Sequence, residues 1–108
     1  MRLLHTMLRV ADLKKSIEFY TQVLGMKELS RSENDEYRYT LVFVGYGDED
    51  SNSVIELTYN WDTEDYIGGR NFGHLAFEVD NIYNFCQNLL DKGIIINRPP
   101  RDGYMAFI

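Results

Sequence analysis

The sequence has few of the residues that mark secreted domains or membrane segments. It contains a single cysteine, Cys86, in 108 residues, so it cannot form an internal disulfide, and a lone thiol is typical of a reducing compartment. No apolar run is long enough to span a bilayer, and the first residues lack the apolar stretch of a secretory signal. We therefore expect a cytoplasmic protein that does not bind membranes.

Basic residues are also scarce, because 11 lysines and arginines stand against 17 acidic residues, for a net charge of −6. The basic residues are scattered along the chain and do not form a stripe. This distribution argues against nucleic acid and anionic membranes as partners. An anionic small molecule would need locally placed arginines.

Both histidines of the chain lie in one repeated pattern. The segment that begins at His5 reads His-Thr-Met-Leu-Arg-Val-Ala-Asp-Leu, and the segment that begins at His74 reads His-Leu-Ala-Phe-Glu-Val-Asp-Asn-Ile. Each copy is followed by helical periodicity that ends at a glycine, Gly25 or Gly93. The repeat predicts two equivalent strand–helix units with their histidines at the same position.

The elements predict a single domain of α+β class, built from two βαβββ modules. The first module, about residues 1–60, has predicted strands over 3–10, 26–32, 37–45 and 53–60 and a helix from the N-cap Asp12 to Leu24. Residues 61–71 are a predicted linker. The second module, about 72–108, has predicted strands over 72–79, 94–98 and 104–108 and a helix over 81–92. It lacks a final strand, so we expect the fold to continue past Ile108.

Strand alternation predicts a metal site. On the face turned away from the helix, each of three strands offers one ligand: His5, Glu56 or His74. Two imidazoles and a carboxylate suit a divalent cation such as Ni, Co, Fe or Zn. A single histidine would be better interpreted as a polar residue on a half-exposed strand. Two histidines at one repeat position, together with Glu56, favour the metal.

Several segments resemble the glyoxalase I family (lactoylglutathione lyases) of the vicinal-oxygen-chelate superfamily. The similar segments are His5-Thr-Met-Leu-Arg-Val10, Ser16-Ile-Glu-Phe-Tyr20, Val23-Leu-Gly-Met26, Phe43-Val-Gly-Tyr-Gly47, Val54-Ile-Glu-Leu-Thr-Tyr-Asn-Trp61 and Gly73-His-Leu-Ala-Phe77. The resemblance implies paired βαβββ modules and isomerisation of the methylglyoxal–glutathione hemithioacetal to S-lactoylglutathione.

The resemblance also implies the site. His5, Glu56 and His74 match three of four family metal ligands, and the fourth, a glutamate, belongs to the strand expected past Ile108. In the family two subunits share each site, which implies a homodimer with His5 and Glu56 from one chain and His74 from its partner. The compact form implies Ni or Co as the metal, with Zn second. Glu56 is the implied catalytic base.

Glutathione carries two carboxylates, which need guanidinium or amide donors. Arg9, Asn60 and Arg70 match family positions that hold this peptide. Arg9 and Asn60 also share the strand faces of His5 and Glu56, as a continuous cleft requires.

Two other classes of function remain open from the sequence. The same scaffold serves iron(II) extradiol dioxygenases and thiol transferases, but these usually take their carboxylate from the last strand, and not from the position of Glu56. A non-catalytic ligand-binding module, truncated or sequestering, is the second alternative. Sequestering relatives typically lack the metal residues, of which this chain has three.

Overall fold

The computed structural model describes residues 1–62 and 65–108, which form two compact units, residues 1–68 and 69–108. The division between the units falls inside the predicted linker, 61–71, of which residues 63 and 64 lie outside the described residues. Each unit is described below by itself.

The first unit is a βαβββ module, as predicted. Its elements are β1 (His5–Arg9), α1 (Leu13–Glu18), a π-helix (Phe19–Val23), β2 (Lys27–Asn34), β3 (Tyr39–Gly45) and β4 (Val54–Asn60). The strands form one sheet in the order β1-β4-β3-β2. β1 runs parallel to β4, whereas the other neighbours are antiparallel. β4 is therefore an inner strand that carries Glu56 between β1 and β3.

The first helix begins where the sequence predicts and ends differently. The Asp12 carboxylate accepts a hydrogen bond from the backbone N–H of Lys15 at 3.0 Å, which caps the first turn. The single α-helix predicted as far as Leu24 is wrong, because Phe19–Val23 winds as a π-helix. There the Leu24 N–H donates to the Phe19 carbonyl at 3.0 Å, one residue further back than an α-helix allows. Gly25, with φ of 77°, ends the segment.

The core of the first unit lies on the helix side of the sheet. Val42, Val44 and Leu57 are fully buried, and they belong to the inner strands β3 and β4. Val42 is the cross-strand partner of Leu57, so the two side chains form a pair on one face. Burial of this face leaves the opposite face of the sheet for polar side chains.

The second unit contains one helix, α2 (Ile82–Asp91). The Asn81 side chain accepts a hydrogen bond from the N–H of Asn84 at 3.0 Å, and Gly93 has φ of 78°. This cap and this glycine confirm the predicted helix over 81–92. Cys86 and Leu89 are its buried residues, so the single thiol of the chain packs in the core of this unit.

The three strands predicted in the second unit are wrong. Residues 72–79 form no strand, and the segments 94–98 and 104–108 share one isolated antiparallel bridge, between Arg98 and Phe107. The first unit supplies the physical reason. There β1 is bonded only to β4, so its counterpart at 72–79 would need a fourth strand of its own unit, and the described residues of that unit, 69–108, form none.

Among the residues that the structure describes, no helix has the length and apolar character needed to cross a membrane.

Candidate metal centre

His5 and Glu56 lie side by side on the polar face of the first unit. The Nε2 atom of His5 is 3.0 Å from Oε2 of Glu56. The two residues belong to adjacent parallel strands, where His5 is the register partner of Val54 and Glu56 that of Met7. The His5 side chain is 40% exposed and that of Glu56 14% exposed. The pair therefore presents an accessible imidazole beside a largely shielded carboxylate.

Two neighbours fix the orientation of this pair. The ring of Phe43 meets His5 edge-on, with centroids 5.5 Å apart, and Phe43 is the cross-strand partner of Glu56. The hydroxyl of Thr58 donates to Oε1 of Glu56 at 3.0 Å. The His5 imidazole and each oxygen of the Glu56 carboxylate thus have a defined contact before any ligand binds.

The chemistry of these donors fits a divalent metal. Imidazole nitrogen and carboxylate oxygen are both ligands of borderline divalent cations. Nε2 of His5 and Oε2 of Glu56 lie within hydrogen-bonding distance, 3.0 Å, so the two donors meet at one point. Two donors alone do not complete a site. Within residues 1–62 and 65–108, no three His, Cys, Asp or Glu side chains form a group that could hold a metal.

Arg9 and Asn60 lie on the same sheet face as this pair. Arg9 is two residues beyond Met7 on β1, and Asn60 is four residues beyond Glu56 on β4, so alternation keeps their side chains on one side. The Asn60 amide donates to the Tyr66 hydroxyl at 3.3 Å. Arg9 is exposed, and its guanidinium forms no salt bridge within the described ranges. Four of the six predicted site residues, His5, Arg9, Glu56 and Asn60, therefore lie on one face of the sheet in the first unit.

His74 and Arg70 belong to the second unit, and both are exposed. The ring of His74 meets that of Phe107 edge-on, with centroids 6.3 Å apart. Phe107 is held opposite Arg98 by the isolated bridge, and the Arg98 guanidinium lies 5.4 Å from its ring centroid. Each histidine of the chain therefore has a phenylalanine edge partner within its own unit.

A shallow groove of about 450 Å³ lies beside this contact. Its lining residues are Asn97, Arg98, Pro99, Arg101, Tyr104, Met105 and Phe107. The two arginines give it a basic wall, and Arg101 is exposed. An anionic group is the ligand chemistry that such a wall favours.

Shifted pKa values occur away from the pair. Burial raises the pKa of Tyr46, whose hydroxyl donates to the Leu24 carbonyl at 2.7 Å. The pKa of Asp48 is lowered by hydrogen bonds from the side chain and backbone of Ser51. Burial also raises the pKa of Tyr20. The Tyr46 hydrogen bond holds the end of the helical segment, and the Asp48 hydrogen bonds hold a loop.

Sequence reasoning missed the residues that hold the predicted ligands. Neither Phe43 nor Thr58 is among the residues that the sequence predicts for the site. The Glu-x-Thr spacing in β4 is a signal that could have identified Thr58, because residues i and i+2 share a strand face. Phe43 needs the pairing of β3 with β4, which a sequence alone does not give.

The chain matches one family model over nearly its whole length. The model for the Glyoxalase/Bleomycin resistance protein/Dioxygenase superfamily covers residues 2–108. The chain belongs to this superfamily. Within the superfamily, its relatives include the probable lactoylglutathione lyase of Vibrio cholerae, which is 59% identical over 99 residues, or 92% of this chain and 72% of that protein. The lactoylglutathione lyase of Salmonella typhimurium is 57% identical over 98 residues, or 91% of this chain and 73% of that protein.

A solved structure of a glyoxalase I is similar to this chain in both fold and sequence. Glyoxalase I of Leishmania major, described as trypanothione-dependent, superposes with a TM-score of 0.93 at 42% sequence identity. The match covers 98% of this chain and 76% of that chain. The resemblance to the glyoxalase I family is therefore confirmed, as is the α+β fold class.

Proposed function

We propose that this protein is a lactoylglutathione lyase (glyoxalase I), which isomerises the hemithioacetal of methylglyoxal and glutathione to S-lactoylglutathione. Superfamily relatives that are 59% and 57% identical carry that name. The observation that carries the proposal is the pair of His5 Nε2 and Glu56 Oε2, 3.0 Å apart. It lies on the sheet face that also holds Arg9 and Asn60, so the proposed metal ligands and the proposed peptide-binding groups share one surface.

In the proposed mechanism the chain holds a metal, moves a proton and binds the peptide part of the substrate. His5, Glu56 and His74 would hold a divalent metal, and that metal would supply a Lewis acid for the two vicinal oxygens of the substrate. The Glu56 carboxylate is the proposed base, which removes the proton from C1 and returns it to C2. Because its side chain is only 14% exposed, bulk water has limited access to the proton while Glu56 holds it.

Arg9, Asn60 and Arg70 are the proposed contacts for the peptide part of the substrate. Guanidinium and amide groups are the donors that glutathione carboxylates need. Arg9 is supported by its exposure and by its place on the strand that carries His5. Arg101, on the basic wall of the groove in the second unit, is a further candidate for a carboxylate of the peptide.

Metal identity, assembly and location complete the proposal. We favour Ni or Co, with Zn second, because the chain resembles compact members of the family; imidazole and carboxylate ligands suit all three cations. The proposed protein is a cytoplasmic homodimer in which His5 and Glu56 of one chain share a metal with His74 of the other. The three ligands are divided between two units, as such sharing requires.

The activity test uses purified protein, methylglyoxal and glutathione, and follows thioester formation. Protein stripped of metal should be inactive, and added Ni or Zn should restore turnover. Glu56→Gln should lower kcat by about 10²-fold or more, because it removes a proposed general base. Glu33→Gln is the matched control, since Glu33 is an exposed glutamate on β2 and should keep wild-type activity.

The outcomes separate the proposal from its rivals. Metal-dependent turnover that is lost in Glu56→Gln and kept in Glu33→Gln supports it, and the more active ion identifies the preferred metal. Cleavage of a catechol with iron(II), without thioester formation, would contradict the lyase proposal and indicate a dioxygenase. No measurable activity with any metal and substrate would favour a non-catalytic ligand-binding module.

A further inference from the structure

The two oxygens of the Glu56 carboxylate have different partners. Oε2 is 3.0 Å from Nε2 of His5, whereas Oε1 accepts a hydrogen bond from the Thr58 hydroxyl at 3.0 Å. A carboxylate can bind a metal through one oxygen or through both. Here one oxygen points to the neighbouring ligand and the other is already engaged.

The position of the Thr58 hydroxyl is set by the sheet. Thr58 lies on the inner strand β4, where its register partners are Arg9 on β1 and Leu41 on β3. Its carbonyl accepts the N–H of Val10 at 3.0 Å. Threonine is branched at Cβ and has few χ1 rotamers, so a fixed backbone leaves its hydroxyl little freedom to leave Glu56.

We propose that Thr58 is a positioning residue whose hydroxyl donates to one acceptor site of Oε1 of Glu56, so that Glu56 offers a single oxygen, Oε2, to the divalent metal beside His5. The second acceptor site of Oε1 is left for the proton that Glu56 carries. This inference rests on the metal site of the proposed function. Thr58 contacts neither metal nor substrate in this role and acts through Glu56. A carboxylate held to one oxygen leaves more coordination positions for the substrate.

Partners of metal ligands affect both affinity and geometry. Removal of a hydrogen bond to a metal ligand typically weakens metal binding by about 10- to 100-fold. Without Thr58, the Glu56 carboxylate is free to rotate and to bind through both oxygens. The loss should therefore change the metal affinity and also the ligand field of the bound ion.

The test compares Thr58→Val, which removes the hydroxyl but keeps the branched shape, with Thr58→Ser, which keeps the hydroxyl. Thr6→Val is the matched control, because Thr6 lies on β1 with a half-buried side chain and alternates with His5, so it faces away from Glu56. Metal affinity is measured by competition with a chromophoric chelator. The visible absorption spectrum of the Co²⁺-loaded protein reports the ligand field, and circular dichroism checks folding.

We expect Thr58→Val to bind metal about 10- to 100-fold more weakly and to change the Co²⁺ spectrum. Thr58→Ser and Thr6→Val should resemble wild type in both measurements. Equal affinity and an unchanged spectrum in Thr58→Val would overturn the role, as would equal losses in the Val and Ser variants. Failure of wild-type protein to bind metal would instead overturn the metal site of the proposed function, and the inference with it.

Discussion

The two units of this chain have the same local signals, yet only the first forms a sheet. Each has an Asx N-cap, Asp12 or Asn81, with a side chain that accepts from a backbone N–H at 3.0 Å. Each ends its helical segment at a glycine with φ near +77°. The first unit adds four paired strands, whereas the second has a single bridge, between Arg98 and Phe107.

This difference separates local from non-local causes of structure. A cap and a terminal glycine act within a few residues, so they operate in both units. A strand requires a partner that is distant in sequence. β1 finds its partner in β4, some fifty residues later, through pairs such as His5 with Val54. The second histidine segment, 72–79, has no such partner among the residues that the structure describes.

The largest expected effect tests whether the first unit of one chain and the second unit of another form one active site. His5→Ala and His74→Ala should each lose nearly all lyase activity, because each removes a proposed metal ligand. When the two variants are mixed and exchange subunits, half of the dimers are mixed and each has one intact site. Activity should then recover to about one quarter of wild type.

Mixing two samples of the same variant is the control and should restore nothing. Native mass spectrometry checks that mixed dimers have formed. If they form without any recovery of activity, His74 does not complete the site of a partner chain.

The second expected effect compares the cores of the units. Leu57 is fully buried between β1 and β3, and Leu89 on α2 is 3% exposed. Leu57→Ala should lower the free energy of unfolding by about 2–5 kcal/mol, because rigid strands leave a cavity. Leu89→Ala should cost less, since the second unit buries only Cys86 and Leu89 along α2 and its surroundings can collapse. Urea unfolding measures both, and equal losses would contradict the difference in packing.

The smallest expected effect tests the features that the units share. Gly25 and Gly93 have φ of 77° and 78°, and a Cβ at either position would meet nothing within 4 Å. Replacement by alanine therefore costs only the left-handed backbone, about 1 kcal/mol at each site. Urea unfolding of Gly25→Ala and Gly93→Ala should show similar losses. A clearly larger loss at one glycine would mean that the two helix ends are not equivalent.

Much of the first unit could be predicted because its signals are local or periodic. Asp12 and Gly25 bound the helical segment, and strand alternation put His5 and Glu56 on one face, where the structure has them 3.0 Å apart. The residues that orient them could not be predicted in the same way. Phe43 approaches His5 only because β3 pairs with β4 in one particular register.

Other features needed information that periodicity lacks. The π-helix at Phe19–Val23 contains apolar residues that an α-helix would accept equally well, and Thr21, whose hydroxyl bonds to the Ile17 carbonyl at 2.7 Å, is a weak signal for a widened turn. The segment 72–79 has the alternation of a strand, but pairing, and not alternation, decides whether a strand forms. The assignment of His74, Arg70 and the other site residues stays a prediction for the experiments above.

The two edges of the sheet in the first unit differ in how they would meet another chain. β2, at one edge, reads Lys-Glu-Leu-Ser-Arg-Ser-Glu-Asn and has a register irregularity between Glu28 and Ser30. Charged side chains and bulges are devices that block strand addition and aggregation. β1, at the other edge, is a regular strand with one basic residue, Arg9. Within the first unit, growth of this sheet is therefore directional, since an incoming strand meets charged side chains and a bulge at β2 and a regular strand without a second partner at β1.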